Sequence, residues 1–361
     1  MFNQKGSEIS FRIGKPIPWE SIAAMDLSKK AVAKLMRKQV YLLSQKKKKE
    51  LFKPIENIIH PVRTKLIRKE LKASQLIGKT QDGKHIYLFD YMPNSSVMRE
   101  IGRLRELSFR QVQEGTGNAL DIDSYDRYYR HLILWDEDEL EIIGSYRIGE
   151  AAKILKKHGE AGLYTHSLFK FNQSFIPYLE HSIELGRSFI QPRYQGKRSL
   201  DYLWYGIGAY LYQHPEIRYL IGPISLSTSW PEPAQKVIAS FYTTLFGNHK
   251  TLVDPRLPFD FELIQEFAPF KQVADEENYK QAYAILKALM DDFGVKVPIL
   301  YKQYVELCQP GGCEFLGFNI DPSFSNCVDA LILVHINTIK EKKHQRYIES
   351  HATVFQKRDS A

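Results

Sequence analysis

The chain has 361 residues, 43% hydrophobic and 25% charged, an ordinary globular composition for which a buried core is expected. Lys plus Arg outnumber Asp plus Glu by 50 to 42, a net charge of +8, which favours acidic partners such as an anionic lipid surface or an acidic carrier protein. Its three cysteines, Cys308, Cys313 and Cys327, exclude a disulfide framework; no run of 18 apolar residues marks a membrane span, and "MFNQKGSEIS" lacks the apolar core of a signal peptide.

In chain order, "ISFRI" (9–13) reads as a short strand stopped by "GKPIP". Residues 19–45 carry Ile22, Met25, Leu27, Val32, Leu35 and Met36 at helical spacing. The run Lys46–Lys49 follows, and a second basic helix is expected over 62–75. The turn-rich "GKTQDGK" reads as a linker, which sets a boundary between a basic, mainly helical extension (1–78) and a larger domain (79–361). That domain opens with the strand "HIYLFDY" and the helix "SSVMREIGRLRELSFRQV", for which Ser95 or Ser96 is the expected cap. A Gly-containing polar loop, "EGTGNALDIDSYD", comes next. "YRHLILWD" and "LEIIGSYRIGE" flank an acidic turn and read as a hairpin. Then come a helix at "GEAAKILKKHG", a strand over 182–190, a helix from Ser199 to Tyr212, the strand "IRYLIGPISLS", and the helix "PAQKVIASFYTTLFG". A helix near 278–292 and the strand "ALILVHINT" complete the series. The pattern predicts an α+β fold with a mixed, mostly antiparallel sheet flanked by helices.

The strand "SIELGRSFI" is unusual because it holds Glu184 and Arg187. On strict alternation Ile183, Leu185 and Phe189 share one face with Arg187, and Glu184, Gly186 and Ser188 share the other. An isolated charge in a core is costly. A bulge near Gly186 would bring Arg187 round to the side of Glu184. A structural ion pair competes with a functional one here. The loop after it, "QPRYQGKRS", brings Arg193, Gly196, Lys197 and Arg198 to a helix N-terminus, where free N–H groups favour anions. A solvated basic turn is the alternative.

This series of hairpin, strand, basic Gly-containing loop, helix, strand and helix resembles the acyl-CoA N-acyltransferase (GNAT) superfamily. Within it, Arg105 and Phe109 on one helix, Asp123 and Asp126 in the next loop, Arg147, and the pair Glu184 and Arg187 are similar to motifs of the acyl-homoserine-lactone autoinducer synthases. "REIGRLRELSFR", "YDRYYRHLILWD", "ELGRSFIQPRYQG" and "YLIGPISLS" resemble the hemolysin-like amino-acid N-acyltransferases, which include the first-step enzymes of ornithine- and glycine-lipid synthesis. "ISFRIGKPIPWESI" is similar to the end of a lysophospholipid acyltransferase domain. The catalytic His-x4-Asp of that domain is missing, so no O-acyltransferase activity is expected.

The resemblance implies transfer of a 3-hydroxy fatty acyl group from acyl carrier protein to an amino-acid amine. No cofactor or metal would be held permanently, and an acyl-phosphopantetheine, on carrier protein or CoA, would be the cosubstrate. It implies Glu184 as proton acceptor, directly or through water, with Arg187 beside it. Tyr242 would be the acid for the leaving thiolate, or else a packed core aromatic. Backbone N–H groups over Gly186–Ser188 would face the oxyanion. Arg105, Phe109, Asp123, Asp126 and Arg147 would hold the acceptor, or form a structural ion network. Arg193, Gly196, Lys197 and Arg198 would meet the phosphopantetheine phosphate and the carrier protein. Apart from the resemblance, the Lys46–Lys49 run and helix 62–75 are basic enough to lie against anionic lipid, a solvated helical face being the alternative, so the expectation is a cytoplasmic protein that either stays free or sits peripherally on the inner face of the membrane. No nucleic-acid partner is expected. An acetyl-CoA-dependent small-molecule N-acetyltransferase and a non-catalytic, membrane-binding hemolysin-like protein remain as alternatives.

Overall fold

The computed structural model describes residues 11–351 apart from 24, 26, 45–50, 53, 249 and 272–275, and for Glu20 the backbone alone. The chain divides into two compact units, Met1–Ile59 with Gly117–Ala119, and His60–Thr116 with Leu120–Ala361.

The small unit contains α1 (Trp19–Ala23) and α2 (Lys29–Leu42). Residues 11–13 are irregular instead of a strand. Ser28 caps α2, accepting from the Ala31 N–H at 3.4 Å, and Arg12 donates to the Leu43 and Ser44 carbonyls at its far end. No residue of α2 is buried. Its Lys29, Lys30, Lys34, Arg37 and Lys38 are exposed, as are the apolar Met36, Val40 and Tyr41. The Lys46–Lys49 run lies outside the described residues.

The large unit contains, in order, α3 (Thr64–Lys72), β1 (Gln75–Lys79), β2 (His85–Asp90), α4 (Ser96–Gln111), β3 (Arg130–Asp136), β4 (Glu141–Glu150), α5 (Ala151–His158), β5 (Phe169–Phe171), α6 (Ile176–Leu179), β6 (Ser182–Ile190), α7 (Ser199–Gln213), β7 (Tyr219–Leu226), α8 (Glu232–Phe246), β8 (Val253–Pro255), α9 (Glu276–Asp292), α10 (Ile299–Leu307), β9 (Cys313–Asp321), β10 (Cys327–His335) and α11 (Glu341–Tyr347). The expected boundary at residue 78 falls inside this unit. "GKTQDGK" is the β1–β2 hairpin turn, with Gly83 at φ +83°; Asp-Gly is a hairpin signal as much as a linker signal. Helix α3 is also part of it, burying Ile67 and Leu71 against α4.

The main sheet runs β1-β2-β3-β4-β6-β7-β10-β9. Every pairing is antiparallel except β6 with β7. Period-two alternation feeds a layer on each side. Leu132 and Leu134 face α7 and the large core, whereas Ile133 and Trp135 face α3 and α4. Truncating a fully buried leucine such as Leu132 to alanine costs about 2–5 kcal/mol.

The feature that creates a site is where β6 and β7 part. They share the pairs Ser182–Tyr219, Ile183–Leu220 and Glu184–Ile221. Beyond them β6 stays with β4 and β7 with β10. Gly222 stands at the crotch: a β-carbon there would lie 2.1 Å from the Leu185 carbonyl oxygen, so only glycine permits the close approach.

Candidate active site

The bulge expected near Gly186 is present. Gly186 opposes Arg147 and Phe189 opposes Ser145, so Arg187 and Ser188 together face Tyr146. Arg187 adopts φ +48°, a left-handed conformation that costs a non-glycine residue roughly 1–3 kcal/mol and clusters at functional sites. The bulge turns its side chain toward the side of Glu184, and Tyr164 meets both. The guanidinium lies 4.9 Å from the Tyr164 ring centroid and 4.7 Å from that of Phe324. It donates to the Tyr164 hydroxyl at 3.3 Å, and it stands 3.5 Å from the carboxylates of both Asp121 and Asp123.

Glu184 is buried, and both of its oxygens are engaged. One takes the Thr165 N–H at 2.6 Å, and the other takes the Tyr164 N–H at 3.1 Å and the Tyr129 hydroxyl. Burial raises its carboxyl above the ordinary range despite these donors.

Helix α4 delivers Arg105 and Phe109 on one face, four residues apart. Its start is fixed twice. Ser95 accepts from the Met98 N–H, and Glu70 of α3 accepts from the Ser96 and Val97 N–H groups and the Ser95 hydroxyl. Asp123 lies just before a short 3₁₀ turn (Tyr125–Arg127) and Asp126 within it, each accepting the other's backbone N–H, at 3.2 and 2.9 Å. Side-chain caps of this kind favour Asp at turns. Asp126 then pairs with Arg105 at 2.8 Å, and Asp123 pairs with Arg147 at 2.7 Å. Burial would raise the Asp123 carboxyl, but the Arg147 guanidinium prevails and holds it low. Asp126 is likewise held low by Arg105 and Arg147, against its burial.

Sequence reasoning missed several members of this constellation. His131 pairs across β3–β4 with Arg147; its Nδ1 faces Arg105 at 3.3 Å and its Nε2 the Asp126 carbonyl. Burial, with Arg105 beside it, pushes its pKa down to about 4. Asp121, Tyr129 and Tyr164 were missed as well, because isolated Asp and Tyr in loops carry no spacing signal. Asp121 is buried, and burial raises its carboxyl in spite of Arg187 and Arg105.

A cavity of about 100 Å³ opens where β6 and β7 diverge. Arg187 and Ser188 line it from β6, Ser225 from β7, Asp329 from β10, and Phe109, Phe324 and Glu114 close it. Phe109 and Phe324 meet edge to face at 5.0 Å. Glu184 is not among the lining residues. The structure therefore joins Arg187, Ser188 and Phe109 at one cavity, with Glu184, Arg105, Asp123, Asp126 and Arg147 in the supporting network.

Two expected groups lie elsewhere. Tyr242 is fully buried among Phe246, Tyr301 and Phe315. Its hydroxyl has no hydrogen-bond partner among the described residues and does not line the cavity. Its helical spacing fits a core aromatic equally well. The basic loop lines a separate cavity of about 440 Å³ that also holds Asp82, Asp136, Asp138 and Glu139. There Arg193 pairs with Glu139 and Glu141, Lys197 sits over the Tyr194 ring at 5.1 Å, and Gly196 takes φ +73°. Arg198 is exposed at the start of α7.

The model of the Acetyltransferase (GNAT) domain matches residues 104–205. A Glycine N(alpha)-acyltransferase of Phocaeicola vulgatus is 32% identical over 82% of this chain and 94% of its own length. A second Glycine N(alpha)-acyltransferase, from Bacteroides thetaiotaomicron, is 33% identical over 82% of this chain and 92% of its own length. An L-ornithine N(alpha)-acyltransferase of Agrobacterium fabrum is 25% identical over 65% of this chain and 74% of its own length.

Proposed function

This chain belongs to the family of amino-acid Nα-acyltransferases carrying a GNAT domain, and from that premise we propose that it transfers a 3-hydroxy fatty acyl group from acyl carrier protein to the amine of glycine. It is an N-acyltransferase of aminolipid synthesis, using an acyl thioester as donor and an amino acid as acceptor. Membership in an enzyme family sets aside a purely lytic role. The carrier protein, glycine and the residue roles are the proposal.

One observation carries it: the bulge that turns Arg187 into the cavity at the parting of β6 and β7. A guanidinium there offers a two-point grip on a carboxylate, the group every amino-acid acceptor brings. At about 100 Å³ the cavity is far smaller than the roughly 300–1,000 Å³ of a drug-sized ligand site. That suits the smallest amino acid, and Phe109 and Phe324 oppose a side chain. The backbone of Gly186–Ser188, released from β7, is available to the developing oxyanion.

Exposed Lys197 and Arg198 fit an acidic carrier protein, for which charge gives steering more than affinity. The exposed cations and apolar side chains of α2 fit an anionic membrane surface. Among the described residues no helix is long and apolar enough to cross a membrane.

The test incubates the purified chain with 3-hydroxyacyl carrier protein and each amino acid in turn, and reads products by mass spectrometry. N-acylglycine as the dominant product is expected. Equal turnover with acetyl-CoA, or a preference for ornithine, would overturn the donor or acceptor respectively.

A further inference from the structure

We propose that Asp329 is the base that deprotonates the acceptor's ammonium, with the Glu114 carboxyl in the same cavity as a second hydrogen-bond partner for it. The assignment rests on the acceptor reading above. Thioester aminolysis needs a neutral amine, yet an amino acid arrives as a zwitterion near neutral pH. The site must hold a carboxylate and an ammonium a few ångströms apart and then remove a proton from the second. Glu184 cannot meet that ammonium as it stands: its oxygens are taken by Thr165, Tyr164 and Tyr129, and it lies off the cavity. Asp329 and Glu114 line the cavity together with Arg187. That places a guanidinium for the acceptor's carboxylate and two carboxyl groups for its ammonium in one small space.

Two further observations point to a ligand here. Arg187 is nine-tenths buried, and its Nε has no hydrogen-bond partner although a carboxylate oxygen of Asp121 is 3.5 Å away. Asp329 is buried on β10, which is paired on both sides by β7 and β9, and is oriented by the Ser225 hydroxyl at 2.6 Å, so the candidate base is held rigidly. Burial, with Asp321 nearby, pushes the Asp329 carboxyl up to about 7, against Ser225 and Arg187. Burial and Asp329 push Glu114 up to about 8, against Arg187. Cys327 on the same strand, Tyr164, and Tyr301 of α10 complete the titratable groups facing Asp329. A base with a pKa near the working pH is the efficient kind.

The step balances as follows. The Asp329 carboxylate takes one proton from the ammonium. The freed lone pair forms the C–N bond to the thioester carbonyl. The tetrahedral intermediate collapses with loss of the C–S bond, and a second amine proton passes to the departing sulfur. The proton on Asp329 returns to solvent.

The experiment measures kcat and KM for glycine against pH, with the full chain and 3-hydroxyacyl carrier protein, for wild type, Asp329→Asn, Glu114→Gln and Ser225→Ala. Wild-type activity should rise with pH through about 7. Asp329→Asn should lower kcat by about 100-fold or more and abolish that rise, with activity recovering at alkaline pH, where free amine accumulates. Glu114→Gln should raise KM more than it lowers kcat. Ser225→Ala removes a donor that lowers the Asp329 pKa, so it should move the rise to higher pH, and it keeps the test open if Asp329→Asn misfolds. Asp329→Asn within about tenfold of wild type, with the pH rise intact, overturns the assignment while leaving glycine acylation standing. A wild type that acylates another amino acid but not glycine overturns the acceptor identity instead; the same variant series on that amino acid then decides Asp329.

Discussion

Tyr164 ties Arg187 to Glu184: its ring and hydroxyl contact the guanidinium, while its backbone N–H donates to the carboxylate. The same hydroxyl donates to Asp321 at 2.7 Å, so β6, β9 and the loop after α5 are fixed by one side chain. On the Asp329 assignment, the conspicuous carboxylate of "IELGR" is a positioning group and not the base. Glu184 holds the loop that holds the arginine.

Glu184→Gln should therefore act as a positioning change. The amide cannot accept all three donors equally well, and a buried donor left unmet costs about 1–3 kcal/mol. A lower melting temperature and a higher KM for glycine are expected. The rise of kcat with pH through about 7 should persist, since Asp329 is untouched. Loss of that rise in Glu184→Gln would return the base to Glu184.

The buried carboxylates also make opposite stability predictions. Asp329 has a folded pKa raised to about 7 from 3.8. A raised acid binds its proton more tightly in the folded state, so it costs stability as pH climbs from about 4 to 7. Asp329→Asn should melt above wild type at pH 8 and lose the advantage near pH 4. Asp123 and Asp126 have the reverse sign. Their folded pKa values are lowered, so their contribution is present above the ordinary Asp pKa and is lost as pH falls through the lower folded values. Denaturant unfolding at several pH values checks both, and a more stable yet inactive Asp329→Asn would exclude misfolding as the cause of its lost activity.

Most of the sheet was legible because its strands alternate or run apolar, and the helices α2 and α4 open on serine caps. The strand 182–190 and the need for a bulge followed from the cost of a charge on the apolar face. Arg105, Asp123, Asp126, Arg147, Glu184 and Arg187 were found, but their division of labour was not. That depends on which oxygens are already occupied, and pairing across loops leaves no trace in spacing. Asp329 was hidden for a similar reason. "CVDALILVH" reads as a buried apolar strand, and only the parting of β6 from β7 reveals that its one carboxylate faces a cavity. The N-terminal boundary was missed because the β1–β2 turn and a linker share the same residues.

Tyr242→Phe should leave kcat within about twofold. The hydroxyl is buried, lacks a partner and lies off the cavity. Removing an unsatisfied buried polar group is neutral or stabilising, so the melting temperature should hold or rise. A loss of tenfold or more in a single-turnover assay would place Tyr242 in the proton path to the thiolate.

Membrane attachment should depend on α2. Exposed Lys and Arg contribute about 1 kcal/mol each near an anionic bilayer, and α2 presents exposed Lys30, Lys34 and Lys38 beside Met36 and Val40. Changing the three lysines to Glu should abolish co-sedimentation with phosphatidylglycerol vesicles. Activity on soluble acyl carrier protein and glycine should be unchanged. Equal binding of wild type to purely zwitterionic vesicles would contradict the electrostatic attachment.

Acceptor size should be set by Phe324. Its ring covers the Arg187 guanidinium at 4.7 Å and abuts Phe109 at 5.0 Å, so it closes the cavity over the carboxylate grip. Phe324→Ala opens space next to that grip without removing it. One methylene in an apolar pocket is worth about 1–3 kcal/mol of discrimination, roughly 10–200-fold. The ratio of kcat/KM for alanine to that for glycine should therefore rise at least about tenfold. Glycine turnover should fall modestly, because the arginine loses an aromatic contact worth about 0.5–2 kcal/mol. A competition assay with both amino acids and one acyl donor reads the ratio directly. An unchanged ratio would mean that the acceptor's α-carbon points away from Phe324, and the size limit would then fall to Phe109 or Glu114.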